Sequence, residues 1–267
     1  MYPVINILGR SIGTYAIIAL VGAFLCGTIF CRMIYKRGYN DNDAIAFLLF
    51  VALGVVIGSH LLYAIVNYRY FFALFSASTI NEFVENIILL FGGSVFYGGL
   101  IGAIVAGMIT IKVMGLPREI YVDCMAPIVP LFHGIARIGC FFAGCCYGIE
   151  SQWGFASEYN PFVPEVIGVS RFPVQLLESL GNFLIAAFLF SLLATKTKKK
   201  PLQGKLIYLY FLCYSILRFF DEFLRGDSAR GYIGILTVSQ TISLFFFVIS
   251  LYMMFRRKEC NDADNFQ

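Results

Sequence analysis

The chain has 267 residues, 59% of them hydrophobic and only 13% charged, with a mean hydropathy of +0.79. A soluble domain carries about twice that share of charge, so this is a polytopic membrane protein, and its net charge of +4 points to no nucleic-acid partner. Of its eight cysteines, Cys26, Cys31, Cys124 and Cys213 lie inside apolar runs, where a thiol behaves as a small hydrophobe, so they make no disulfide framework.

Seven apolar runs reach membrane length, at about Gly13 to Tyr35, Asp43 to Asn67, Ser94 to Gly115, Ile120 to Phe142, Pro173 to Ala194, Lys205 to Leu224 and Thr237 to Phe255. No basic leader or small-residue cleavage site precedes the first, which is expected to stay as a span. Between the second and third, Tyr68 to Gly93 mixes aromatics with Asn81, Glu82, Glu85 and Asn86, the composition of one or two amphipathic helices lying in the interface. After the fourth, Gly148 to Phe172 carries Trp153, Tyr159, Pro161 and Pro164 and reads as a small irregular extracytoplasmic cap. The predicted fold class is an all-α integral membrane protein, one seven-span domain over residues 1–258 with a disordered cytoplasmic tail at 259–267.

Basic residues orient the spans. Arg32, Lys36, Arg37, Lys112, Arg118, the five lysines from Lys196 to Lys205, and Arg256, Arg257 and Lys258 fall on one side. Arg10, Arg69, Arg171, Arg225 and Arg230 fall on the other. The richer side faces the cytoplasm, which puts the N-terminus outside and the C-terminus inside and lets the lysines at 196–200 lie against anionic membrane lipids.

Chemistry concentrates in His133 to Gly148, HGIARIGCFFAGCCYG. Arg137 sits near the end of the fourth span, where an unpaired charge costs about 2.5 to 3.5 kcal/mol. Gly139, Gly144 and Gly148 then break the helix, and broken backbone at membrane depth is tolerated only inside protein or along a wet cavity. A guanidinium fork suits phosphate or carboxylate; alternatively, Arg137 pairs with Asp123 or Glu178 and merely holds helices together.

In the sixth run Arg218, Glu222 and Arg225 stand at i, i+4 and i+7, on one helical face. They form either a charged wall, with one arginine held by Glu222 and the other open to an anion, or a structural pair beside a snorkelling Arg225. In the third span Tyr97, Gly98 and Gly99 lead into Gly102, Ala103, Ala106 and Gly107, a spacing that favours close helix packing and also lets a headgroup approach the backbone. His60 reads as a satisfied buried histidine. Cys140, Cys145 and Cys146 read first as packing, then as thiol chemistry, and last as a metal site, since His133 lies a full seven residues away and no supporting carboxylate is evident.

These residues resemble the prolipoprotein diacylglyceryl transferase family, a seven-span enzyme of the bacterial inner membrane, over nearly the whole chain. Its signature Gly-Arg-Ile-Gly-Asn-Phe-x-Asn-Gly-Glu-x-x-Gly runs in frame with Ala136, Arg137, Ile138, Gly139, Cys140, Phe141, Phe142, Ala143, Gly144, Cys145, Cys146, Tyr147 and Gly148. Asp123, Ala126, Pro127 and Pro130 match its entry helix, and Tyr15 its first-span tyrosine. Pro173, Gln175, Leu176 and Glu178 match Pro-x-Gln-Leu-x-Glu; Arg218, Glu222, Phe223 and Arg225 match Arg-x-x-x-Glu-Phe-x-Arg. The sequence departs from the family at Tyr97, where a histidine is expected, at Ala136 for glycine, at Cys140 for asparagine and at Cys145 for glutamate.

The resemblance implies transfer of diacylglyceryl from phosphatidylglycerol to the lipobox cysteine of a preprolipoprotein, with no metal and no cofactor. Arg137 and Arg218 would stabilise the departing phosphate. Tyr97 would act as base if nearby arginines lowered its pKa, or would only orient the headgroup, leaving deprotonation to Glu222 or water. Tyr15, Gly98, Gly99, Gly139, Cys140, Gly144, Cys145, Gly148, Glu178 and Arg225 would contact substrates. Alternatives are a paralogue using the same donor with another acceptor, a non-catalytic protein that binds phospholipid or signal peptide, and a membrane thiol protein in which Cys140 cycles with Cys145 or Cys146.

Overall fold

The computed structural model describes residues 2–7, 9–195, 204–227 and 231–256. The lysines at 196–200 and the tail at 259–267 lie outside the described residues. A helix forms on every one of the seven apolar runs: α1 (Thr14–Tyr35), α2 (Asp41–Val66), α5 (Phe96–Val113), α6 (Arg118–Ala143), α7 (Val174–Thr195), α8 (Leu206–Asp221) and α9 (Val238–Phe255). By length and composition, α1, α2, α6, α7 and α9 can cross a membrane. The α5 helix falls short of them only narrowly, as an apolar stretch over Tyr97–Val113, and α8 has 16 residues.

The stretch between α2 and α5 folds as two helices, α3 (Arg69–Phe75) and α4 (Ile80–Phe91). The second starts on a reciprocal cap: Thr79 Oγ1 accepts from Glu82 N at 3.2 Å, while Glu82 Oε2 accepts from Ser78 N at 2.8 Å. Between α6 and α7 the chain contains β3 (Glu150–Phe155), bridged to Arg171, and a single 3₁₀ turn at Pro164–Val166.

Two antiparallel hairpins modify the all-helical expectation. One pairs β1 (Val4–Ile7) with β2 (Arg10–Gly13), with Gly9 in the left-handed region at the turn; the other pairs β4 (Tyr232–Ile233) with β5 (Leu236–Thr237). A further correction concerns the sixth run. The helix stops at Asp221, Glu222–Leu224 tightens into a 3₁₀ turn, and Arg225 is extended with φ −76° and ψ 140°. Arg225 has therefore left the helical face that Arg218 and Glu222 share.

The chain divides into two compact units. In the first, Met1–Phe30 with Val122–Gln267, a core of Ala126, Leu189, Leu206 and Tyr210 joins α6, α7 and α8. The α8 helix borrows its start from α6: Asp123 accepts from Gly204 N at 2.7 Å and from Leu206 N at 3.2 Å. Asp123 thus caps a helix end, work that its spacing from Arg137 does not reveal.

In the second unit, Cys31–Tyr121, α2 and α5 meet through glycines, as their spacing predicts. A Cβ on Gly102 would run into the Gly54 carbonyl, and one on Gly98 into the Gly58 carbonyl. His60 is half-buried rather than buried, and its Nδ1 is 2.8 Å from the Phe91 carbonyl oxygen. Gly102→Leu is expected to force α2 and α5 apart and to cost about 1–3 kcal/mol; a lowered thermal midpoint in detergent, compared with Leu at the open position Gly115→Leu corrected for its positive φ, checks it.

Candidate functional site

The first unit gathers its buried charge around one carboxylate. Glu178, on the first turns of α7, is 2% exposed. Its Oε1 lies 3.0 Å from Arg137 Nη2, accepts from the Tyr214 hydroxyl at 3.0 Å, and is 3.5 Å from His133 Nε2. Its Oε2 is 4.0 Å from Arg218 Nη1. Arg218 also reaches Glu222 Oε2 at 2.6 Å and donates to Ser239 Oγ at 3.0 Å. Two guanidinium groups and two carboxylates, drawn from α6, α7 and the end of α8, therefore balance one another in the interior.

Helix periodicity assembles this set. His133 and Arg137 are one turn apart on α6, and Tyr214, Arg218 and Glu222 follow at four-residue steps along α8 and its terminal turn. Small residues bring α6 and α7 together: Ser179 Oγ donates to the Gly134 carbonyl at 2.7 Å, and a Cβ on Gly134 would meet the Phe183 ring at 2.6 Å. Two donors remain available within the set. Arg137 Nε and Arg218 Nη1 are buried and have no hydrogen-bond acceptor among the described residues. An anion's oxygens could take both.

Beyond α6 the loop is tied down at each step. Gly144 turns it with φ +72°, and Cys145 N donates to the Cys140 carbonyl at 3.2 Å. Asn160 donates to the Ala143 carbonyl at 2.8 Å and Gln175 to the Cys145 carbonyl at 2.8 Å, both from buried side chains. Gly148 packs against the carbonyls of Phe172 and Leu224, where no side chain fits. Ile149 N donates to Leu224 O at 2.9 Å, and Gly226 N to Tyr147 O at 2.9 Å.

Within this loop the sulfurs of Cys140, Cys145 and Cys146 lie within 4.8 Å of one another, and all three thiols are free. Arg137 Nη1 is 4.0 Å from Cys140 Sγ. Hydrogen bonds with Cys140 and Cys145 hold the Cys146 thiol below the ordinary thiol range, helped by Arg137 and Arg225 and opposed by burial. Hydrogen bonds with Cys140 and Cys146, together with burial, push Cys145 up. Arg225 is buried and pairs with Asp227 through both Nε and Nη2.

The structure thus brings together Arg137, Glu178, Arg218 and Glu222, and next to them Cys140, Cys145, Gly144 and Gly148. Tyr15 is 43% exposed on α1 and flanks Gly139, where a Cβ would come 3.0 Å from its ring. Tyr97, 38% exposed, and the buried Gly98 and Gly99 belong to the second unit. Sequence reasoning passed over Tyr214, Ser239 and Asp221 and weighed His133 only as a zinc ligand. The i, i+4 spacing of His133 to Arg137 and of Tyr214 to Arg218 carried that signal.

The model of a family described as prolipoprotein diacylglyceryl transferase matches residues 3–256. Among curated proteins, the chain is 31% identical to a phosphatidylglycerol-prolipoprotein diacylglyceryl transferase of Clostridium tetani, over 95% of this chain and 96% of that one. It is 32% identical to a second such transferase of Clostridium perfringens, over 91% and 90% of the two chains. It is 29% identical to one from Legionella pneumophila, over 96% and 99%.

Removing the shared carboxylate by Glu178→Ala leaves two arginines facing each other in a buried setting. The expected cost is about 3–5 kcal/mol, read as a lowered thermal midpoint in detergent, with Glu178→Gln less damaging because it keeps the acceptor for Tyr214.

Proposed function

The chain belongs to the prolipoprotein diacylglyceryl transferase family, and we propose that it transfers the diacylglyceryl group of phosphatidylglycerol to the lipobox cysteine of a preprolipoprotein. A carbon–sulfur bond forms at the glyceryl carbon, the carbon–oxygen bond to phosphate breaks, and glycerol phosphate leaves. The observation that carries this reading is the pair Arg137 and Arg218, held by Glu178 and Glu222, in which Arg137 Nε and Arg218 Nη1 have no hydrogen-bond acceptor among the described residues. Donors already oriented in a low-dielectric site stabilise charge that develops on a leaving phosphate without further reorganisation.

The finer parts of the reading follow from it. Seven spans sit in the bacterial inner membrane as one domain over residues 1–258, α5 and α8 joining α1, α2, α6, α7 and α9, with the N-terminus outside and the C-terminus cytoplasmic. The excess of basic residues on one set of connections supports that orientation. The stretch from Gly148 to Phe172 is the extracytoplasmic cap, beside which the lipobox peptide enters. Tyr15, Gly98, Gly99, Gly139, Gly144, Gly148 and Arg225 contact donor or acceptor, and Tyr97 handles the thiol proton or orients the headgroup.

The test is thioether formation on a lipobox peptide in phosphatidylglycerol liposomes. Arg137→Ala and Arg218→Ala are each expected to lower the rate by at least about 100-fold. Tyr97→Phe, which keeps the ring and removes the proton, is expected to lower transfer while phosphatidylglycerol binding persists. A folded wild-type preparation that binds phosphatidylglycerol and transfers nothing would overturn the reading for this acceptor.

A further inference from the structure

Three thiols that the sequence spreads over seven positions converge at one point. Cys140 lies in the last turn of α6 and is buried, while Cys145 and Cys146 follow the Gly144 turn and are half-buried. Cys146 adopts φ +55°, a left-handed conformation that costs a residue with a Cβ about 1 kcal/mol or more. Nothing in ordinary packing calls for that conformation next to another cysteine. Its local consequence is that two consecutive side chains, which extended backbone would send to opposite faces, both reach Cys140.

The positions are also held firmly. The carbonyls of Ala143 and Cys145 are anchored by the buried amides of Asn160 and Gln175, and the next residues are joined by backbone bonds to Phe172 and Leu224. A thiophilic ion needs this kind of fixed ligand set. Zinc bonded to sulfur at about 2.3 Å in tetrahedral geometry sets its ligands about 3.8 Å apart, and the three sulfurs lie within 4.8 Å of one another, about 1 Å from that spacing. Arg137, 4.0 Å from Cys140 Sγ, favours the anionic sulfurs that such an ion requires.

We propose that Cys140, Cys145 and Cys146 bind one zinc-class ion through three thiolates and leave a fourth position for the thiol of the acceptor cysteine. This rests on the transferase reading for its acceptor, while the ion site stands on the geometry alone. The resemblance implies no metal, and the departures at Cys140 and Cys145 are what supply one. An incoming thiol displaces the bound water and loses its proton, which ends on the departing phosphate. The metal-held thiolate then attacks the glyceryl carbon, forming the carbon–sulfur bond as the carbon–oxygen bond to phosphate breaks and its electron pair goes to glycerol phosphate. The neutral thioether product is a weaker ligand and yields its place to water.

The experiment uses full-length protein purified in detergent under reductant, stripped with chelator and titrated with cobalt(II). Expected are about one cobalt per chain with a thiolate-to-cobalt charge-transfer band, and at least about 10-fold weaker binding in each of Cys140→Ser, Cys145→Ser and Cys146→Ser. Cys213→Ser, on α8, should bind as wild type does, which separates ligand loss from general misfolding. A lipobox peptide with cysteine should intensify the band, and the same peptide with serine should leave it unchanged. The proposal is overturned by folded protein without the band at saturating cobalt, by bands that survive the three serine substitutions, or by bands indifferent to the cysteine peptide. Full-rate transfer by metal-stripped protein would remove the ion from catalysis while leaving the transferase reading intact.

Discussion

One carboxylate holds the site together. Glu178 is nearly fully buried, and a lone carboxylate so placed would take up a proton or unfold its surroundings. It is paired with Arg137 from α6 and lies 4.0 Å from Arg218 of α8, which Glu222 also holds. The three helices are consequently committed to one register. Tyr214 and His133 fill the remaining space around Oε1, and Asn182 fixes the α7 backbone at Glu178 by donating to its carbonyl at 2.8 Å.

Much of this was legible because it is periodic. Apolar runs of membrane length fall on helices, and the Arg218–Glu222 pair follows directly from a four-residue step. The Arg137–Glu178 pair was one of two partnerships the spans allowed; Asp123, the other, turned out to cap α8. What the sequence hid depends on chain direction after a helix stops. Arg225 looks like the next turn of α8, but a 3₁₀ turn redirects it towards Asp227 and the Gly148 backbone. The two hairpins of the first unit are too short to show an alternating pattern, and their local signals are single turn glycines, Gly9 and Gly234, both at positive φ. The cysteines hid for the opposite reason. Seven residues from Cys140 back to His133 argued against a metal, whereas a left-handed Cys146, which no pattern announces, brings the third sulfur into the group.

The loop after α6 is tied to the same helix that carries Glu178. Asn160 and Gln175 are buried amides that spend donors on backbone carbonyls of the loop after α6. They satisfy the last carbonyl of α6, at Ala143, and the loop carbonyl of Cys145. Because Gln175 lies one turn before Glu178 on α7, the same helix that anchors the arginines also anchors the cysteine loop. A shift of α7 along its axis would therefore disturb both at once.

Charge balance limits how a reaction can run in such a place. With two arginines and two glutamates the cluster is neutral before a ligand enters, and a bound phosphodiester brings one negative charge. Breaking the carbon–oxygen bond puts a second on the departing phosphate, and an uncompensated charge in low dielectric costs several kcal/mol. The proton lost by the acceptor thiol is the only new positive charge the reaction makes. Turnover is least costly when that proton ends on the departing phosphate, which leaves Glu178 and Glu222 to keep Arg137 and Arg218 in place.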